Sequence, residues 1–286
     1  MNAAVVTAPR LAWRAAGPIM GERDLIEEVP VALRYDGAPF AVLMASPADL
    51  HDLAVGFTLT EGIAAAAGDI DEIELVPRAS GVEARIWLGR EAKAALAARR
   101  RHLAGASGCG LCGIESIEEA TRPAARVAAR TRFTASQVSE AVASLDAAQP
   151  LGRATRAAHA AGWWEPNGGL VLAREDVGRH NALDKLAGAI ATRRLPAREG
   201  IVVLSSRVSA EMIQKAARIG AGVLAAVSAP TALACRMADA AGLTLVAVAR
   251  ADGFELFTQP DRIRTTSRRD TTRPKQTFAA AATLAG

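Results

Sequence analysis

From Ile201 to Val248 the chain repeats a single unit. A short apolar run is followed by a polar turn and then by about ten residues with helical spacing of apolar positions. Ile201 to Leu204, Val223 to Val227 and Leu243 to Val248 read as strands, separated by helices over Ser209 to Ile219 and Thr231 to Ala241. Strands alternating with helices predict parallel pairing. A further helix over Asn181 to Arg194 precedes the series, and Asn167-Gly168-Gly169 joins the apolar runs Ala157 to Trp164 and Leu170 to Arg174 as a hairpin turn. Trp163 and Trp164 belong to a half-buried strand on this reading. The expected class is α/β, a mixed sheet covered by helices.

The first half reads differently. Val29 to Tyr35 and Phe40 to Met44 are strands joined through Asp36-Gly37. Ser46 is placed to cap the next helix, with Pro47 in its first turn, Gly62 at its end, and Leu50, Leu53, Ala54 and Phe57 on its apolar face. Ile73 to Leu75 and Val82 to Leu88 read as strands, and Glu91 to Arg101 as a helix. The chain therefore divides into a flexible amino terminus (1–20), a smaller N-terminal α+β domain (21–133), a helix-covered α/β domain (134–260) and a basic mobile tail (261–286). Thr134 is expected to cap a helix running to Leu145, and Gln149-Pro150-Leu151-Gly152 to form a connection.

Hydrophobic residues make up 50% of the chain against 22% charged, which excludes a disordered chain. The net charge of +4 is carried almost wholly by arginine, which suits phosphates and carboxylates. Aromatics at 4% and the absence of a basic stripe argue against nucleic acid. Arg10 and Arg14 interrupt any secretory signal in the first twenty residues. Pro230, Arg236 and Asp239 break the most apolar stretch, so no membrane span is expected. Three cysteines fit a reducing cytoplasm.

Two of them lie in Gly108-Cys109-Gly110-Leu111-Cys112-Gly113. The run satisfies the dinucleotide fingerprint, but no buried strand precedes it and no acid follows at the required distance. A structural zinc site lacks its second thiolate pair. A deaminase zinc site lacks its H-x-E, since none of His51, His102, His159 and His180 has Glu two places on. Thiol chemistry suits a glycine-rich loop, where Arg99, Arg100, Arg101 and His102 would favour the thiolate. Sulfur relay, disulfide exchange and an incidental surface pair all remain open at this point. Cys235, among Leu233, Ala234, Met237 and Ala238, reads as core.

The second polar concentration is Arg174 to Lys185, which opens a helix after an apolar strand. Asp176, Arg179, His180, Asn181 and Lys185 crowd a helix amino terminus, a setting for guanine or phosphate contacts. Asp176 or Asn181 serving only as a cap is the competing reading.

Cys109-Gly110-Leu111-Cys112-Gly113, the run Glu175 to Lys185 with Gly188, Ser205 to Gly220 and Val223 to Leu233 together resemble the formate dehydrogenase accessory sulfurtransferase family, FdhD. Ser206, Ala210 and Gly108 depart from its usual pattern without removing a chemical group. The resemblance implies a cytoplasmic homodimer whose C-terminal domain is cytidine-deaminase-like but lacks the deaminase zinc. It implies a sulfane sulfur received from a cysteine desulfurase and passed to the molybdenum or tungsten bis(molybdopterin guanine dinucleotide) cofactor that formate dehydrogenase needs. Cys109 would hold the persulfide and Cys112 would assist or relay. Val248, Ala249, Arg250, Ala251, Asp252 and Gly253 would contact the cofactor, for which a guanine nucleotide such as GDP is a mimic. The loop Gly105 to Gly113 is expected to close over a channel when the cofactor binds. A chaperone that binds the cofactor without transferring sulfur is the rival reading.

Overall fold

Strands β1 (Val5–Arg14) and β2 (Gly17–Ile26) pair antiparallel along their whole length. The computed structural model describes residues 4–103 and 121–264. Cys109, Cys112 and the loop Gly105 to Gly113 lie outside the described residues, as does the chain beyond Arg264. Within the amino-terminal twenty residues, expected to be flexible, the stretch from Val5 to Met20 forms most of a hairpin. Gly17, at φ 108°, supplies the left-handed turn geometry, and Arg23 donates to the Thr155 carbonyl at 3.2 Å.

A four-stranded sheet follows, built from β3 (Val29–Tyr35), β4 (Ala38–Ala45), β5 (Ile70–Arg78) and β6 (Gly81–Leu88) in the order β4-β3-β6-β5. Asp36 and Gly37 turn between β3 and β4 with φ of 50° and 80°, the paired left-handed geometry of a two-residue hairpin. Helices α1 (Leu50–Thr60) and α2 (Arg90–Leu103) complete this unit, whose core holds Val31, Leu33, Tyr35, Leu53, Ile86 and Leu88. Gly62 ends α1 at φ 69° as expected, but Ser46 does not cap it. The helix begins after Asp49, and the Ser46 hydroxyl accepts instead from the Val177 amide at 3.0 Å.

The second unit opens with β7 (Phe133–Thr134) and α3 (Ala135–Ala147), where Thr134 and Gln137 cap each other's backbone amides. The expected connection at Gln149 to Gly152 is instead the start of α4 (Pro150–Thr155). Glu175 makes that helix possible by accepting from the Leu151 and Gly152 amides at 2.9 and 2.7 Å. Next come β8 (His159–Glu165), β9 (Gly169–Asp176), α5 (Arg179–Thr192), β10 (Ile201–Leu204), α6 (Ala210–Ile219), β11 (Val223–Ala226), α7 (Ala232–Ala241), β12 (Thr244–Arg250), β13 (Gly253–Leu256) and β14 (Ile263–Arg264).

Six of these strands form a mixed sheet in the order β13-β12-β11-β10-β8-β9, with β10, β11 and β12 parallel as the alternation predicted. Helices α5, α6 and α7 cover one face through Leu183, Leu186, Met212, Ile213 and Cys235, and α3 covers the other through Val138 and Leu145. Neither tryptophan is half-buried. Trp163 packs into the first layer and Trp164 into the second, both shut from solvent, because β8 lies inside the sheet with helices on each face. The first residues of the expected tail are also structured, since Ile263 and Arg264 pair with β7 and Arg262 donates to the Gly242 and Ala129 carbonyls at 2.6 and 3.0 Å.

The two units meet where α1 crosses α5. Gly56 and Gly188 sit at the crossing, and a methyl group on either would collide with the other helix's backbone, at the Asp184 or Asp52 carbonyl respectively. Gly56→Ala gains about 1 kcal/mol of helix propensity. It must nonetheless push the helices apart, so a net loss of about 2 kcal/mol is expected in urea unfolding.

Candidate functional site

The carboxyl ends of β10, β11 and β12 lie on the same edge of the sheet as the start of β8 and the end of β9. Helices α5, α6 and α7 all begin at that edge. Ligands bind open α/β sheets in the crevice outside the carboxyl ends of their strands, and the polar side chains here fit that use. His159 opens β8, Arg179 and His180 open α5, Arg207 lies between β10 and α6, and Glu211 is in the first turn of α6. The amino termini of α5 and α6 have no side-chain cap. Among the described residues the buried Arg179 Nε and Ser209 Oγ have no partner. Free amides and unpaired donors make this edge a place for an anion.

Electrostatics agree. Burial lowers the His159 pKa below its ordinary 6.5, and the charges of Arg179 and Arg207 lower it further. His180 Nε2 lies 2.6 Å from Glu211 Oε2, and this contact holds the Glu211 carboxyl below the usual range. Positive charge exceeds what the local carboxylate neutralises.

Val248 to Gly253 closes the same edge. The register between β12 and β13 shifts between Ala247 and Arg250, and Val248 stands at φ 52°, a conformation costly for a β-branched residue. The bulge is held by the Val248 amide donating to the Ser228 carbonyl at 3.2 Å, and by Arg250, which donates to the Val227 carbonyl and to its neighbour Ala249 at 2.9 Å. Arg250 therefore closes the loop, while the backbone around Val248 is turned out of the ladder.

The polar run Asp176 to Lys185 divides in two. Arg179 and His180 reach the edge, but Asp176, Asn181 and Lys185 do not present free groups to a ligand, as their crowding at a helix amino terminus had suggested. They lie beneath it and stitch the two units together. Lys185 is fully buried and its three protons are taken by Asp176 at 2.6 Å and the Ser46 and Glu175 carbonyls at 3.1 and 3.4 Å. Asp176 also accepts from the Ser46 amide at 3.0 Å, and Asn181 donates to the Met44 carbonyl at 2.8 Å. From α6, Lys215 binds Asp184 at 3.0 Å, Glu61 at 2.7 Å and Thr60 at 3.1 Å. Burial alone would lower the Lys215 pKa, but Asp184 and Glu61 outweigh it and hold the ammonium above its ordinary value. His159, Arg207, Ser209 and Glu211 escaped the sequence reading. Their position just outside strand ends was the available signal.

Residues 26–264 match the FdhD/NarQ family. The chain belongs to that family. The FdhD/NarQ member described as sulfur carrier protein FdhD in Agrobacterium fabrum is 52% identical over 255 residues, covering 89% of this chain and 94% of that protein. The protein of the same description in Cupriavidus necator is 46% identical over 252 residues, covering 88% of each. A solved structure assigned as a formate dehydrogenase accessory protein, from Desulfotalea psychrophila, superimposes with a TM-score of 0.74 at 25% identity and covers 92% of this chain and all of that one. The expected mixed α/β class holds for this FdhD/NarQ chain. No helix among the described residues is long and apolar enough to cross a membrane.

Lys185→Met leaves the Asp176 carboxylate buried without its cation and should cost about 3–5 kcal/mol in urea unfolding. A ligand-holding lysine would instead leave stability intact. In an NMR titration His159 should change protonation below its ordinary 6.5, and Arg179→Ala should move it upward. A lowered folded pKa means that the stabilisation linked to His159 is present above the unfolded value and is lost as pH falls through the folded one.

Proposed function

We propose that the protein is a sulfur carrier that holds a sulfane sulfur on Cys109 and delivers it to the bis(molybdopterin guanine dinucleotide) of molybdenum or tungsten required by formate dehydrogenase. The observation that carries this reading is 52% identity over 255 residues to a sulfur carrier protein, in a chain that supplies the Cys109-x-x-Cys112 pair. In the loading step the Cys109 thiolate attacks the outer sulfur of a cysteine desulfurase persulfide. A new S–S bond forms on Cys109, the donor's S–S bond breaks, and the donor leaves as its thiolate. Cys112 assists release or relays the sulfur. The chain acts in the cytoplasm as a homodimer.

The cationic sheet edge supports the receiving half of the reading. Arg179, His180 and the turned-out backbone of Val248 to Gly253 are suited to the phosphates and guanine of the cofactor. Asp176, Asn181 and Lys185 hold the first turn of α5 in place beneath them. Bound phosphate near His159 offsets Arg179 and Arg207, so GDP should raise the His159 pKa.

Incubation with a cysteine desulfurase and free cysteine should make the protein one sulfur atom heavier by mass spectrometry, reversibly under reductant, and Cys109→Ala should abolish the gain. A wild-type protein that gains no sulfur while formate dehydrogenase still matures in its presence would establish the cofactor-chaperone reading instead.

A further inference from the structure

A second concavity lies at the other edge of the six-stranded sheet. It encloses about 600 Å³, within the range of a specific binding pocket. Leu195 to Arg198 precede β10 and Gly220 precedes β11, so it opens at the amino ends of the parallel strands, away from Val248 to Gly253. Its walls come from both units, with Leu59 from α1, Ile190 from α5 and Ala217 from α6 giving an apolar floor. Arg194 and Arg198 rim it, and among the described residues no carboxylate lines it.

The floor discriminates between kinds of anion. Helices α1, α5 and α6 present their carboxyl ends here, so the backbone contributes negative rather than positive potential. The closing amides are already used, Leu195 donating to Ile190, Gly220 to Ala217 and Ala221 to Ala216. The one hydroxyl among the described lining residues, on Thr60, is engaged with Asp184 and Lys215. The Ala65 and Ala66 amides are likewise taken by Asp69 at 3.0 and 2.8 Å, and the Ala197 amide by the Leu195 carbonyl. An apolar group seated on the floor, with carboxylates beside it reaching the rim, matches every surface present.

The wall also includes Ala125, in the segment that returns from the cysteines. Three residues earlier the Arg122 carbonyl accepts from Gln214 of α6 at 2.8 Å. The concavity is thus continuous along the chain with the cysteine-bearing stretch, and it leaves the opposite sheet edge open.

We propose that this concavity is the docking pocket for an acidic, apolar-anchored segment of the protein that donates sulfur. The proposal rests on the sulfur-carrier reading and adds to it where the donor is recognised. The docked donor's persulfide then transfers its outer sulfur to the Cys109 thiolate and leaves as a thiolate, as in the loading step above.

The test compares two donors and adds a binding measurement. Arg194→Glu/Arg198→Glu should slow sulfur loading from a cysteine desulfurase with cysteine about ten-fold or more. Loading from inorganic polysulfide, which needs no docking, should proceed as in wild type. The same variant should bind immobilised desulfurase correspondingly more weakly by interferometry, and rising salt should weaken the wild type in parallel. Arg14→Glu/Arg90→Glu, with the same change in net charge, should match wild type throughout. Wild-type loading and binding in the Arg194/Arg198 variant would overturn the proposal, as would equal loss with both donors in a folded protein. Absence of desulfurase binding by the wild type would overturn it too. If the wild type binds desulfurase but gains no sulfur from either donor, it is the sulfur-carrier reading that fails, while loss of binding in the variant still supports the pocket.

Discussion

The close approach of α1 and α5 governs the rest of the structure. Because Gly56 and Gly188 let two backbones touch, Asn181, Asp184 and Lys185 of α5 are brought into the seam with the first unit and are shut from water. A buried ammonium is tolerated only when every proton is matched, and Lys185 is matched by one carboxylate and two carbonyls contributed by both units. Such a pair adds little net stability over an apolar contact. Its effect is on register. Displacing one unit by a single turn of α5 would take the Ser46 amide from Asp176, the Ser46 carbonyl from Lys185, and Thr60 and Glu61 from Lys215, so the contacts select one register.

That fixed seam sets the direction of α5, and the direction of α5 sets the sheet-edge site. Arg179 and His180 occupy the first turn of a helix that is buried from Asn181 to Ile190. The Glu211 carboxylate is brought to His180 from a different helix, which the parallel order of β10 and β11 places alongside. The strained bulge at Val248 costs on the order of 1–3 kcal/mol, and hydrogen bonds to Val227 and Ser228 hold it. Those two residues follow β11, so the loops after adjacent strands lock one another into a shape that neither would adopt alone.

What could be read from sequence was what is encoded locally. Asp36-Gly37 turns as two-residue hairpins must, Thr134 caps with Gln137 three residues away, and the apolar runs from Ile201 onward are short because β10 and β11 cross a buried sheet in four residues each. The failures involve partners far along the chain. Ser46 before Pro47 has the pattern of a cap, yet its hydroxyl serves Val177, 131 residues away. The α4 turn forms because Glu175, more than twenty residues downstream, accepts its amides. The polar run at Asp176 to Lys185 was legible as unusual but not as inward-facing. The small residues Ala182, Ala187, Gly188 and Ala189 carried that information, since a helix so poor in bulk is built for close packing on several sides.

The two edges of the sheet are chemically opposite, and this bears on how a sulfur carrier avoids short-circuiting. At the carboxyl edge, helix amino termini and the guanidinium groups of Arg179 and Arg207 favour anions. At the amino edge, helix carboxyl ends would disfavour compact phosphates, while on the proposed reading Arg194 and Arg198 would receive carboxylates on a larger apolar body. A cofactor bearing a diphosphate and a donor protein bearing acidic side chains would therefore be sorted by the same sheet polarity, with no need for separate recognition domains. On the proposed reading both would be held at once, which would shorten the interval in which a persulfide stands exposed to other thiols. Sorting of this kind follows from parallel strand order itself, because only parallel strands gather all helix beginnings on one edge and all helix ends on the other.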